Sequence, residues 1–411
     1  MNKNATIMDL TIEVIKKSLR FFGISLLILS GTIGLSDPVT AHASETRTEL
    51  KIPPALDPGL RHFLDLVDPA KNTKFDPQLA GPVLDFVAGS KDAGALYFAN
   101  IISGLTPAYY DFDVNRDLKT IVQYAFNPDI PGVATMPSSA RLFHWSDARL
   151  NKQPAPKIER YLDRLDDPVV IHGFQTFQIT PDLNSGAYYA YNLYQTLLLF
   201  KYRQRNVLMT VSKQIDASTV GKKGYILGDD NDWDYVYSGK TGLTIPALGW
   251  VRSYMYDSSA INIYYEIDPG APVVRCAMFK WLKAGWFDIN MVQKKHIYRG
   301  LKRFANSFKE ILEYRQLPAV DIMADDFSRL RGLSADALKS KMATYSKVLA
   351  KRYGSGQPRN KKWPPDLFKN NNRWRRMGRE EMESALVIEY MKYALGKTRP
   401  DDVRELLELR R

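Results

Sequence analysis

The chain has 411 residues, of which 45% are hydrophobic and 25% charged, a balance typical of a globular protein and not of a disordered or fibrous one. Its 57 Lys and Arg against 45 Asp and Glu give a formal net charge of +12, which favours acidic partner surfaces. A single cysteine, Cys276, excludes an intramolecular disulfide, so the fold must be stabilised by its core.

The first 43 residues have the pattern of a secretory signal peptide. Lys16, Lys17 and Arg20 lie just before the apolar run 24–35, and a polar segment with a small-residue motif then ends at Ala43. The apolar run is shorter than the roughly 20 residues that span a bilayer. We therefore predict cleavage after Ala43 and a periplasmic or secreted protein with no transmembrane segment in its mature chain. The alternatives are an uncleaved membrane anchor and a chance apolar N-terminal helix.

The region that follows the predicted cleavage position is expected to be mainly helical. Residues 44–54 are predicted to be a disordered mature N-terminus, and 55–166 a region of helices and loops punctuated by proline. Within it, Asp117 has the side chain and position of an N-cap for a helix that begins at Leu118.

The pattern changes to strands over 167–270, where apolar and polar residues alternate. Short polar turns and no helical crossovers separate these strands, so we predict an antiparallel β-meander over about 169–267. A hairpin is expected to join 187–202 to 207–213. A turn at 257–259 is expected to separate two further strands.

The remaining residues, 271–411, are predicted to be helical. An apolar stripe marks a helix over 291–315, Ser334 is a good N-cap for the next helix, and a further helix is expected at 379–395. The basic loop 354–378 precedes this helix, and a last helix is expected at about 401–410, with Pro400 at its N1 position. The predicted fold class is therefore α+β, a central antiparallel sheet flanked by N-terminal and C-terminal helical segments.

The strongest functional feature is the basic segment, residues 351–379. It contains ten Lys and Arg and one Asp, a net charge of +9, and aromatic residues are interleaved with the bases. Cations attract an anionic surface, and Trp and Phe enter a headgroup layer or stack on a sugar. The alternative is a solvated segment that its aromatic side chains hold against the body. The residues predicted to bind an anionic ligand are Lys361, Lys362, Trp363, Arg373, Trp374, Arg375 and Arg376.

A dense acidic cluster lies at 229–234, between two predicted strands. A solvated hairpin turn explains it, but carboxylates brought together in space also perform hydrolysis. Its Asp230, Asp232 and Asp234, together with His172 on a predicted strand, are the weak catalytic candidates of the chain.

Metal ions and cofactors are not predicted. Oxygen side chains alternate over 111–117 in the manner of a calcium loop, which needs a glycine at its sixth position and a glutamate at its twelfth. Arg116 and Val122 stand at those two positions. We therefore interpret 111–117 as a turn followed by an N-cap, and expect no metal site.

Two hypotheses of function follow. The first is an exported, basic, non-catalytic cell-envelope protein that binds anionic lipid or polysaccharide through the basic segment, with no nucleic-acid partner expected in that compartment. The second is an envelope hydrolase that acts on a polysaccharide or an ester with carboxylates of the 229–234 loop.

Overall fold

The fold combines an antiparallel sheet with helices, and the predicted α+β class is thereby confirmed. The predicted signal peptide and its cleavage position at Ala43 lie outside the described residues. The structure is a computed structural model. It describes residues 52–90, 101–146, 157–181, 185–245, 249–268, 270–354, 367–368, 373–398 and 406–407.

Side-chain caps define where several helices begin. Asp76 accepts a hydrogen bond from the backbone N–H of Gln78, and Asp117 accepts one from that of Thr120, as its sequence position predicts. The predicted N-cap Ser334 is likewise confirmed, because its hydroxyl accepts from the backbone N–H of a residue in the first turn. The α-helices of the described residues are α1 (Asp57–Leu66), α2 (Pro77–Gly89), α3 (Leu118–Ala125), α4 (Lys294–Glu313), α5 (Val320–Arg331), α6 (Ala335–Tyr353) and α7 (Arg379–Ala394).

The strands form a large sheet, a small sheet and a two-stranded pair. They are β1 (Thr106–Val114), β2 (Ala140–Ser146), β3 (Val169–Ile179), β4 (Ser185–Tyr188), β5 (Ala190–Tyr202), β6 (Arg205–Gln214), β7 (Lys222–Leu227), β8 (Asp234–Thr241), β9 (Leu243–Ile245), β10 (Gly249–Val251), β11 (Tyr254–Asp268), β12 (Val273–Trp286) and β13 (Ile289–Asn290). The large sheet has the order β1-β12-β11-β6-β5-β3-β2, with β13 beside β12, and the small sheet has the order β4-β7-β8. All described pairs are antiparallel.

The hairpin predicted between 187–202 and 207–213 is confirmed as β5 and β6. Its tight turn consists of Arg203 and Gln204, whose φ angles are +48° and +62°. Positive φ at both central positions matches the twist of the flanking strands, although neither residue is a glycine.

The large sheet is covered on both faces. Helices α1 and α2 pack on one face, where Phe63 and Leu84 meet Phe279 of β12. Helices α3 and α4 pack on the other, where Phe308 meets Cys276. Cys276 is buried, as its apolar sequence neighbours predict, and burial raises the pKa of its thiol well above the ordinary value.

The small sheet packs against the C-terminal helices. Tyr225 and Leu227 of β7 contact Met342 of α6 and Leu386 of α7 in one apolar cluster. In a neighbouring cluster the fully buried Trp233, which precedes β8, packs with residues of α7. The candidate site lies in this part of the molecule.

The sheet is larger than the sequence predicts. Residues 106–114 and 140–146 form β1 and β2 inside the region predicted to be helices and loops, and 273–286 forms β12 where a helix is expected. Both faces of β12 are covered by helices. A strand buried on both faces has apolar residues on both, so its sequence lacks the alternation that identifies half-buried strands.

The turn predicted at 257–259 is wrong, because these residues continue a single long strand, β11. Polar residues are accommodated there by a β-bulge between Met255 and Asp257 and by a hydrogen bond from Lys280 Nζ to Ser258 Oγ at 2.6 Å. Among the described residues, the structure contains no helix with the length and apolarity needed to cross a membrane.

Candidate functional site

The described part of the basic segment presents cations outward and an aromatic ring inward. A short 3₁₀ helix, Arg373–Arg376, places Trp374 half-buried in the body, whereas Arg375 and Arg376 are exposed. The Arg375 guanidinium lies 5.6 Å from the centroid of the Trp374 ring, a cation–π contact. The predicted binding residues outside the described part of the chain are Lys361, Lys362 and Trp363.

An aromatic pocket of about 90 Å³ adjoins this short helix. It lies between β8, α6, α7 and the described residues of the basic segment. Leu367 and Met377 contribute apolar surface on that side. The aromatic side chains that line the pocket are Trp233, Tyr235, Tyr237, Tyr345, Phe368 and Trp374. We name this cavity the aromatic pocket.

Strand and helix periodicity explain why these side chains converge. Tyr235 and Tyr237 are two residues apart in β8 and therefore point to the same face of the small sheet. Met342, Tyr345 and Leu349 are three and four residues apart in α6 and form one helical face. The left-handed backbone of Trp233, with φ of +55°, ends the acidic turn and leads into β8.

A buried arginine reaches the same pocket from the large sheet. Arg141 of β2 is 5% exposed, and its guanidinium stacks 3.9 Å from the centroid of the Tyr237 ring. Its terminal nitrogen lies 3.2 Å from a carboxylate oxygen of Glu381. Glu381 also caps α7 by accepting from the backbone N–H of Gly378 at 3.0 Å. The cap therefore fixes the carboxylate that neutralises Arg141.

A buried ion network lies beside the pocket and contains Asp234, Arg352, Tyr353, Glu389 and Lys392. The Asp234 side chain has no exposed surface. Arg352 donates to it at 2.8 Å and the Tyr353 hydroxyl at 2.7 Å, while Lys392 donates to the other carboxylate oxygen. Lys392 also pairs with Glu389 at 2.7 Å. Two carboxylates and two cations thus balance one another inside the protein.

Burial shapes the protonation of this network. Burial raises the pKa of Glu389, and the neighbouring Lys392 offsets only part of that effect. For Lys392 burial alone would lower the pKa, but the carboxylates of Glu389 and Asp234 outweigh it and raise the pKa. Lys392 is therefore held in its charged form, as an internal counter-ion requires.

The acidic cluster forms the connection between β7 and β8, which agrees with the predicted turn. Its three catalytic candidates have separate partners. Asp230 pairs with Arg303, the exposed Asp232 accepts from the backbone N–H of Asp229 at 2.9 Å, and Asp234 belongs to the buried ion network. These contacts satisfy the carboxylates individually and leave no shared reactive centre among the contacts described for them.

The fourth catalytic candidate, His172, lies on β3 of the large sheet. Its Nδ1 is 2.9 Å from the Thr196 hydroxyl, and the residue is exposed. Among the contacts of the described residues, none joins His172 to the acidic turn. Asp111 and Asp113, which the calcium-like spacing includes, lie in β1, where Asp113 pairs with Arg275 at 2.7 Å.

A second, polar cleft of about 390 Å³ borders the buried ion network. Lys351, Arg352 and Lys397 line it together with Asp232. Lys397 lies 4.4 Å from the centroid of the Trp233 ring and pairs with Glu310 at 2.6 Å. Lys397 therefore contacts Trp233 from the side of this cleft, while the same indole also lines the aromatic pocket.

Sequence reasoning missed the residues that connect these features. Arg141 lies in the short segment 140–146, inside the region interpreted as helices and loops, and no strict alternation of apolar and polar residues marks that segment as a strand. Glu389 and Lys392 are three residues apart inside the apolar run of α7. Opposite charges at that spacing in a buried helix indicate an internal ion pair.

The comparisons with known proteins give no match. No protein family, no curated protein and no solved structure was found to be similar to this chain, so its function must be argued from the site itself.

Proposed function

We propose that this protein is exported and binds anionic lipid of the cell envelope through the basic segment, without catalysing a reaction. The observation that carries the proposal is the arrangement of Trp374, Arg375 and Arg376. Two exposed arginines follow an indole that also lines an apolar pocket, and the guanidinium of the first contacts its ring. Such an arrangement suits a headgroup layer, since Trp is amphipathic and the cations meet phosphate.

The charge available for binding is smaller than the sequence count. Of the ten bases in 351–379, two are held in ion pairs: Arg352 with Asp234, and Arg379 with Glu383 at 2.7 Å. Each base near an anionic surface contributes about 1 kcal/mol. Lys347, exposed on α6, extends the cationic surface beyond the loop.

Export is supported by the signal-like N-terminal sequence. An exported chain meets phospholipid headgroups and acidic polysaccharide. We favour lipid over polysaccharide because the aromatic pocket offers apolar surface beside the cations. The hydrolase hypothesis has weaker support, since Asp230 and Asp234 are both held in ion pairs.

Vesicle co-sedimentation tests the proposal. Residues 44–411 are mixed with vesicles of phosphatidylglycerol and phosphatidylcholine, and with phosphatidylcholine alone, at low and high salt. We expect binding to the anionic vesicles that weakens with salt. The double variant Arg375→Ala/Arg376→Ala should weaken it by roughly 10- to 30-fold, because two contacts of about 1 kcal/mol are lost.

The matched control replaces two exposed bases of α4, one turn apart. Lys295→Ala/Arg299→Ala removes the same charge and should leave vesicle binding within about threefold of the original value. Equal binding to both vesicle types would contradict the proposal. So would retention on purified acidic polysaccharide without vesicle binding, which would point to a glycan instead.

A further inference from the structure

The tight turn between β12 and β13 presents the most exposed large apolar side chain of the described residues. Phe287 is 75% exposed. It forms a two-residue loop with Asp288, because the backbones of Trp286 and Ile289 pair on either side of them. A ring at the tip of a hairpin adds nothing to the core, and its apolar surface is left in water.

The backbone of the turn also disfavours a phenylalanine. The φ angles of Phe287 and Asp288 are +53° and +59°, so both central residues are left-handed. Such turns favour Asn followed by Gly, and a bulky residue at positive φ is a steric outlier. In the β5–β6 turn the same conformation is adopted by Arg203 and Gln204, which are exposed but polar. A single exposed apolar residue is ordinary. One that is also strained indicates a function for its ring.

The side chains next to the turn are amphipathic. The hydroxyl of Tyr256 accepts from the backbone N–H of Asp288 at 2.8 Å, and the ring of Tyr254 lies 5.9 Å from that of Tyr256. Trp286, directly before the tip, is half-buried. Tyr and Trp are enriched where one end of a side chain meets hydrocarbon and the other meets water. The turn thus combines an apolar tip with amphipathic side chains beside it.

The charges near the turn do not oppose an anionic surface. Asp288 is offset by Lys283, whose ammonium lies 2.5 Å from its carboxylate. Residues 235–253, which lead into the end of β11 beside the turn, contain the exposed bases Lys240 and Arg252 and no acid. Anionic headgroups therefore approach without repulsion. Since the Lys283–Asp288 pair is neutral, contact made by the tip itself is apolar.

The shape of the turn favours a bilayer over a protein partner. A specific protein interface buries roughly 800 Å² on each partner. One aromatic side chain buries only about 150–250 Å², so a two-residue tip is too small to hold a protein or a second copy of the chain. The interfacial layer of a bilayer needs no complementary pocket and accepts apolar side chains beside its headgroups.

We propose that Phe287 inserts into the interfacial layer of a phospholipid bilayer and is a second membrane contact, separate from the basic segment. The inference rests on the proposed lipid binding and names a residue that enters the apolar layer. The basic segment attracts an anionic surface over a distance that salt shortens, whereas Phe287 acts only on contact. The two contributions therefore differ in their salt dependence.

A fluorophore at position 287 tests insertion directly. Phe287→Cys in residues 44–411 is labelled briefly with an iodoacetamide of nitrobenzoxadiazole, which spares the natural Cys276 because it is 1% exposed. On vesicles of phosphatidylglycerol and phosphatidylcholine we expect a blue-shifted, brighter emission, because the probe leaves water. Ile322→Cys is the matched control. Ile322 is 54% exposed on α5 close to the exposed Asp321 and Asp325, and its probe should stay in water.

Co-sedimentation of polar and apolar variants measures the contribution of the ring. Phe287→Asn should weaken binding to the anionic vesicles about fivefold or more at both low and high salt, because no apolar ring leaves water. Phe287→Leu keeps an apolar side chain and should bind within about threefold of the original protein. Asn suits the left-handed backbone, so Phe287→Asn should unfold at a urea concentration no lower than that of the original protein.

Three results would overturn the inference. They are a probe at position 287 that stays in water on bound vesicles, equal vesicle binding by Phe287→Asn, and a dimer in sedimentation velocity that Phe287→Asn abolishes, which would make the turn an interface between copies. A water-exposed probe with binding lost in Arg375→Ala/Arg376→Ala leaves the basic segment as the membrane contact. An inserted probe with full binding by Arg375→Ala/Arg376→Ala supports Phe287 and contradicts the basic segment. No vesicle binding by the original protein contradicts both.

Discussion

The large sheet and the small sheet are stabilised by different means. In the large sheet, fully buried apolar residues such as Ile261, Phe279 and Trp281 fill one face and the other face is also mainly apolar, although Asp111 and Arg275 of this sheet are buried too. Around the small sheet, Asp234, Glu389 and Lys392 are buried to the same degree. Burying ions gives little net stability compared with apolar residues of the same volume. The polar interior of the second region is thus better explained by specificity or function than by stability.

The largest expected effect on the free energy of unfolding comes from a substitution in the core of the large sheet. Phe279→Ala should lower the free energy of unfolding by about 4 kcal/mol, because it removes a ring packed 4.7 Å from that of Tyr109 and leaves a cavity. Urea denaturation followed by circular dichroism measures it. Phe287→Ala is the control, since this ring is 75% exposed at the turn after β12, and it should change stability by about 0.5 kcal/mol or less.

A somewhat smaller loss in the free energy of unfolding is expected for a change in the small-sheet region. Asp234→Asn should cost about 3 kcal/mol, because Arg352 would lose its buried counter-ion and Lys392 would keep only Glu389. Asp232→Asn, two residues earlier, changes an exposed carboxylate and should cost about 1 kcal/mol at most. Equal stability of the two variants would show that the buried ion network is dispensable.

Lowering the pH should reduce the free energy of unfolding through His62, which packs beside the large sheet. His62 of α1 accepts from the backbone N–H of Asp76 at 2.9 Å, and burial lowers its pKa despite the nearby Asp76 and Asp65. Below about pH 6.5 the unfolded chain binds a proton that the folded histidine resists, so stability falls with falling pH. We expect a loss of about 1 kcal/mol, the value of one hydrogen bond, between pH 7.5 and 5.5.

The matched variant His62→Gln keeps an acceptor and does not titrate in this range. Its stability should be measured by urea denaturation at both pH values, and it should lose less than the original protein. An identical pH dependence in the two proteins would assign the acid sensitivity to other groups.

The last prediction has the opposite sign and separates the two regions most clearly. Burial raises the pKa of Glu389 above its ordinary value of 4.5 in the presence of Lys392, Asp234 and Arg352. The folded state therefore keeps this proton at pH values where the unfolded chain has lost it, and acid favours folding. Relative to Glu389→Gln, the original protein should gain stability on going from pH 7 to pH 5. A loss over that interval would mean that the carboxylate is charged and stabilising throughout.

Local signals predicted many elements of the fold. The cap at Ser334, the apolar stripe of α4 and the hairpin of β5 and β6 depend on residues close together in the chain, and all three are confirmed. Strand β12 was not predicted, because its secondary structure depends on its surroundings as well as on its sequence. Helices from both ends of the chain cover its two faces.

The candidate site was predicted less completely because it is built from distant residues. The exposed bases of the basic segment follow from composition. The Arg141–Glu381 pair joins β2 to α7, and no local pattern links two residues so far apart in the chain. The sequence showed the acidic turn as a cluster of carboxylates. It did not show that Asp230 and Asp234 form ion pairs, because their basic partners lie far along the chain in α4, α6 and α7.

The reactivity of the single cysteine, Cys276, can be used to measure local unfolding of the large sheet. Cys276 is 1% exposed within the large sheet, and a thiol reagent has only this one target in the whole sequence. Its rate of modification therefore reports how often that sheet opens, independently of the small sheet. If Asp234→Asn, which perturbs the small-sheet region, speeds the modification, the two regions open as one cooperative unit. If the rate is unchanged, the small-sheet region opens separately from the large sheet.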